Sequence, residues 1–143
     1  MDRNDLKTRT KKFALRIIPL SNALPGNRFG DVLGRQILKS GTSIGANYRE
    51  ATRASSAKHF VSILEISIRE AEETRYWLEL IAEAELVDAD RLGELFDECS
   101  QLTAILTATV RTAKRNRSKR VTDNGISPTT ELDNQKSEIR NLK

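Results

Sequence analysis

A chain of 143 residues, 38% of them apolar, is long enough to bury a core without disulfides or a structural metal. Its single cysteine, Cys99, excludes an intramolecular disulfide, and no uncharged apolar stretch reaches the roughly 18 to 20 residues that span a bilayer. The net charge of +4 is concentrated: residues 1–110 carry 15 Lys and Arg against 16 Asp and Glu, residues 121–143 carry 3 against 4, and residues 111–120 carry six basic groups and no acid.

Seven aromatics and seven glycines among many Ala, Leu, Ile, Glu and Arg make a helix-rich composition. The start, Met1-Asp2-Arg3-Asn4-Asp5, lacks the apolar run of a secretory signal, so a reducing, cytoplasmic setting is expected.

Leu6, Phe13, Ile17, Leu20 and Leu24 form an apolar stripe at helical period, which predicts a first helix over about 6–24. Pro19 removes a backbone donor inside it, so a kink near Ile18 or a split into two pieces is expected. Pro25-Gly26-Asn27 reads as the turn that follows, and a second helix begins near Arg28.

The second helix runs into a stretch crowded with small residues, Ser40-Gly41-Thr42-Ser43-Ile44-Gly45-Ala46-Asn47-Tyr48, and ends near 52–54. Each glycine disfavours a free helix by about 1 kcal/mol against alanine, so packing must compensate. Phe29, Leu33, Ile37, Ser40, Ile44, Asn47 and Ala51 share one side, and Asn47 is expected to place its amide in the seam and fix the register there.

Ser55-Ser56 supplies a cap for a third helix reaching about Glu85, with Phe60, Leu64, Ser67, Ala71, Leu78 and Ala82 on its core line. Asp88 is a candidate cap for a fourth helix whose seam is Leu92, Leu95, Phe96, Cys99, Leu102, Thr103, Leu106 and Val110. Short links between four amphipathic helices favour antiparallel neighbours, hence an all-α, up-down-up-down four-helix bundle over residues 1–115. Residues 116–143 are expected to form a basic and then polar disordered tail.

Unrolled at about 100° per residue, the third helix brings Ile66 and Trp77 together away from its core line, with Leu80 a little further round. They either edge the bundle or form an oligomer interface, and we favour the interface.

In an up-down-up-down bundle the start of the first helix, the corner between the second and third, and the end of the fourth share a pole. That pole would collect Arg3, Lys7, Arg9, Lys11, Lys12, Arg49, Arg53, Lys58, Arg111, Lys114, Arg115, Arg117, Lys119 and Arg120, while Glu79, Glu83, Glu85, Asp88 and Asp90 go to the other. Such a basic cluster suits nucleic-acid phosphates. A helix dipole accounts for one or two terminal cations, not six in ten residues. No aromatics interleave the basic block, so contact with the backbone rather than with bases is expected. A solvated tail, docking of a protein partner, or attraction to a membrane surface are the competing explanations.

Little supports catalysis. His59 is the lone histidine, Cys99 falls on an apolar seam, and neither Walker nor Rossmann glycine patterns occur. No cofactor, metal or small-molecule substrate is expected; Glu65, Glu72 and Glu79 read as a solvated stripe or as salt-bridge partners of a neighbouring subunit, and the Glu-x-x-His pairs of a di-metal site are missing.

Arg35 to Ala51, reading Arg-Gln-Ile-Leu-Lys-Ser-Gly-Thr-Ser-Ile-Gly-Ala-Asn-Tyr-Arg-Glu-Ala, resembles the signature of bacterial four-helix bundle proteins encoded in intervening sequences of 23S ribosomal RNA genes. The likeness extends to Ser56-Ala57-Lys58-His59-Phe60 and to Glu73 through Leu78, and spans about residues 6–115; Pro19 and Tyr48 depart from the family pattern. Arg75-Tyr76-Trp77-Leu78 followed by a basic helix end is also similar to the accessory variability protein of diversity-generating retroelements. The resemblance implies a left-handed bundle, a ring-like homopentamer, and binding of nucleic acid or a reverse transcriptase without catalysis. The alternative is a structural adaptor ring that docks a protein partner.

Overall fold

The computed structural model describes residues 2–123, which form α1 (Arg3–Ala23), α2 (Arg28–Ala51), α3 (Ala57–Glu83) and α4 (Ala89–Asp123). Each beginning that carries a cap shows why the helix starts there. The Asp2 carboxylate accepts from the backbone of Asp5 while Asp5 returns a bond to Asp2, Asn27 Oδ1 accepts from Gly30 N at 2.9 Å, and Ser56 Oγ accepts from His59 N at 3.1 Å. Asp88 precedes α4, its carboxylate 3.5 Å from Asp90 N. Glu85 takes a left-handed conformation, φ 54°, to end α3.

Contacts between the helices fix an antiparallel order throughout. Along α1 and α2, Ser21 Oγ donates to Gly34 O at 3.0 Å and Tyr48 Oη to Arg3 O at 3.4 Å. Along α2 and α3, Ser67 Oγ donates to Ile44 O at 2.8 Å, and Thr74 and Ser40 share a 2.9 Å hydroxyl bond. Cys99 Sγ donates to Ala71 O at 3.2 Å between α4 and α3. Arg9 and Arg16 of α1 reach Glu98 and Glu94 of α4, so that seam is bridged by long side chains rather than by close backbones.

The core is a continuous set led by Phe13, Ile17, Ile37, Ile44, Tyr48, Leu64, Leu78, Ile81, Leu102 and Leu106. Its four buried polar side chains, Thr10, Ser40, Ser67 and Thr74, all hydrogen bond, as buried hydroxyls must.

Several expectations change here. α1 does not split at Pro19: the proline and Leu15, whose carbonyl loses its donor, are both on the exposed side, while Ile17 and Leu20 are buried on either side of it. Phe29 is 71% exposed, because the seam of α2 is set by its glycine face and turns away from the start of the helix. Asn47 is half-buried and donates to Ser43 O of its own helix at 2.9 Å, so the hydroxyls of Ser40, Ser67 and Thr74 fix the α2–α3 register instead. Tyr48, which departs from the family pattern, is 2% exposed in the core. The helical part of the expected tail is also longer: α4 carries the basic block unbroken to Asp123, and residues 124–143 of that tail lie outside the described residues.

Candidate nucleic-acid interface

α2 presents glycines to α1. A Cβ on Gly41 would lie 2.9 Å from Ile17 Cγ1, and one on Gly45 3.0 Å from Thr10 Oγ1. This close approach carries α1 along α2 until Arg3 meets Tyr48, and so sets the start of α1 beside the end of α2.

The same pole receives the start of α3 and the end of α4. The Arg3 guanidinium sits over the Phe60 ring, 5.4 Å from its centroid. Arg3, Tyr48 and Phe60 line one cleft together with Ile105, Ala108, Thr112 and Asn116 of α4. A second cleft joins Arg3 and Lys7 of α1 to Thr52 and Arg53 beyond α2.

Not every expected cation reaches this pole. Arg9 meets Glu98 and Gln101 at mid-α4, and the Glu98 carboxylate, by accepting its hydrogen bonds, raises its pKa further. Lys11 and Lys12 lie beyond Arg9, roughly 13 Å along the helix from Arg3, beside the waist of the bundle. Lys114 bridges to Glu65 at 3.2 Å with both side chains largely solvated. Lys7, Arg49, Arg53 and Lys58 are at the pole, as are the basic groups of α4.

α4, at 35 residues, is longer than the 27-residue α3 by eight residues, about 12 Å of helix. Its last turns carry Arg115, Arg117, Lys119 and Arg120, and together with Arg111 and Lys114 these point to all sides of the helix rather than to one face. The far pole holds Glu79, Glu83, Glu85, Asp88 and Asp90, though Arg28 and Arg91 temper it.

A family model for 23S rRNA-intervening sequence proteins matches residues 3–108. The chain belongs to that family. The match covers the helices through most of α4 and stops before the basic block. The intervening-sequence chain is also similar to a crystal structure from Bacteroides thetaiotaomicron, described as a protein of unknown function from the S23 ribosomal protein family. That likeness has 36% identity and a TM-score of 0.72, covering 78% of this chain and 99% of the other. No curated protein matches the chain.

Ile66, Trp77 and Leu80 lie on the outer side of α3. Ile66 is 36% exposed; Trp77 and Leu80 are half-buried, and Trp77 donates to Glu73 and stacks on Tyr76 at 5.2 Å. Burial, then the charge of Glu73, pushes the nearby Glu70 carboxyl up, with Lys39 of α2 and Arg69 opposing. Among the described residues no helix is long and apolar enough to cross a membrane, and no three His, Cys, Asp or Glu side chains gather to hold a metal.

What sequence reasoning missed is the aromatic contribution. Phe60 lies far from the basic block in the chain, and only the antiparallel packing of α3 on α4 brings its ring to the same pole. The signal available was Phe60 just after the Ser56 cap, level with the end of α4.

Proposed function

We propose that this intervening-sequence family member is a non-enzymatic accessory protein that binds RNA through phosphate contacts at its basic pole. The observation that carries it is the convergence of Arg3, Lys7 and Arg53 on one cleft beside the cationic last turns of α4. Clustered cations release condensed counterions when they meet a polyanion, which favours binding whatever the base sequence. The family's name, which ties it to ribosomal RNA genes, makes RNA the first polyanion to test.

The protein works as a homo-oligomer. Ile66 with half-buried Trp77 and Leu80 on α3, and exposed Phe29 and Val32 at the start of α2, supply apolar surface for that contact. The ring-like pentamer and the reverse-transcriptase partner follow from the family resemblance, and a ring would multiply the basic pole around an axis. The second reading, an adaptor that docks a protein, draws on a different cleft of about 340 Å³ at the far pole. Leu78, Leu92 and Phe96 floor it and Glu79, Glu83 and Asp97 edge it.

Fluorescence anisotropy with a labelled RNA of mixed sequence tests the first reading. Binding is expected at low salt and should weaken steeply as salt rises; binding that ignores salt would reject it.

A further inference from the structure

Two clefts meet at the basic pole, and they differ in chemistry. One, of about 570 Å³, is walled by Tyr48, Phe60, Ile105 and Ala108, with the Asn116 amide and the Thr112 hydroxyl on its margin. That size is within the range of small-ligand sites, about 300 to 1,000 Å³. The other, of about 560 Å³, is polar and gathers the cations Arg3, Lys7 and Arg53. Asp2 and Arg3 line both, so the clefts are contiguous.

Resting on the phosphate-binding reading above, we propose that this pair of clefts takes one unpaired nucleotide of a strand, its base in the aromatic cleft and its phosphate in the cationic one. A flat heterocycle finds the Phe60 ring and apolar walls on one side. The Arg3 guanidinium now lies over that ring, 5.4 Å from its centroid, too close for a base to enter between them, so Arg3 swings off the ring toward the phosphate as the base takes its place on Phe60. Asn116 offers both a donor and an acceptor to the edge of the base. Charge complementarity then places the attached phosphate, because the adjoining cleft sets the cations Arg3, Lys7 and Arg53 against the single carboxylate of Asp2. A base inside a duplex is paired and stacked on both faces and cannot enter, so the site discriminates single strands from duplex.

The test uses the full chain and two RNA probes of equal length and charge, one unstructured and one folded as a blunt hairpin, measured by anisotropy at one salt concentration. The unstructured probe should bind about tenfold more tightly, the scale of one base stacked on protein. Ala108→Phe and, separately, Thr112→Trp fill the cleft from exposed positions that the core does not use. Either variant, with an unchanged circular dichroism spectrum, should lower binding of the unstructured probe to the hairpin level and leave hairpin binding alone. Equal binding of both probes by the unaltered protein, or no response to either variant, overturns the nucleotide site while leaving the phosphate reading intact. Failure of both probes to bind overturns both.

Discussion

Thr74 of α3 and Ser40 of α2 share a hydrogen bond of 2.9 Å between two fully buried side chains. Each hydroxyl also has a carbonyl of its own helix in reach, Glu70 O at 2.7 Å from Thr74 and Ile37 O at 3.5 Å from Ser40, so the bond between the two side chains is the part that exists in one helix register only.

Thr74→Val keeps the shape and removes the hydroxyl. It should lower stability by about 1 to 2 kcal/mol, read from urea unfolding. Asn47→Ala, which loses a bond within its own helix, should stay within about 0.5 kcal/mol. If Asn47→Ala proves the more damaging, the register depends on the amide and not on the hydroxyls.

The close approach of α1 and α2 gives a second expectation. Alanine is the better helix former, by about 1 kcal/mol, yet Gly41→Ala would drive a Cβ to 2.9 Å from Ile17 Cγ1. Overpacking of this kind costs about 1 to 3 kcal/mol, so a net loss is expected. Ile17→Val keeps both crowding carbons, Cγ1 and Cγ2, and should not relieve the strain. Ile17→Ala removes them and should make the double variant less unstable than the sum of its parts, which a double-mutant cycle in urea measures.

Much of this fold was legible in the sequence, and the misses share a cause. Apolar periodicity located four helices and their antiparallel order, and Ser56 was readable as a cap because its hydroxyl lies three residues before the donor it meets. Asn47 misled because a side-chain amide can bond the carbonyl four residues back, and nothing local says which choice wins. Phe29 misled because its phase lies close to the expected stripe, while the start of α2 turns its glycine face, Gly30 and Gly34, to Pro25 and Ser21 and leaves the ring outside. At the candidate site the cations of α4 and Arg53 were readable one by one. Neutralisation of Arg9 by Glu98, and the arrival of Phe60, depend on contacts between distant segments.

Cys99 supplies a pH expectation. Burial pushes its thiol up to about 12, against an ordinary value near 9, with Arg75 opposing and Glu98 adding to the rise. The native state then holds the proton after the unfolded chain has lost it. Stability should be unaffected by this group below about pH 9 and should fall as pH climbs from there toward 12. Cys99→Ala should remove that part of the alkaline loss. Labelling of Cys99 by iodoacetamide at pH 8 should be slow in buffer and fast in urea; rapid native labelling would place the thiol at the surface.

Arg9 and Glu98 tie α1 to α4 in a half-buried, two-pronged pair. Glu98→Gln should cost about 0.5 to 1 kcal/mol after solvent screening. The cation it frees, Arg9, lies at mid-α4 and away from the pole, so RNA binding should be unchanged. Weaker RNA binding with stability preserved would mean that Glu98 itself supports the interface.

The most direct measurement is the salt dependence of RNA affinity for the unaltered chain and for a variant with Arg111, Lys114, Arg115, Arg117, Lys119 and Arg120 all changed to Gln. Each phosphate contact on a single strand contributes about −0.7 to the slope of log affinity against log salt. The account predicts a steep negative slope for the unaltered protein and a markedly shallower one for the variant, with the bundle still folded. Identical slopes, or affinity independent of salt in the unaltered protein, would contradict it.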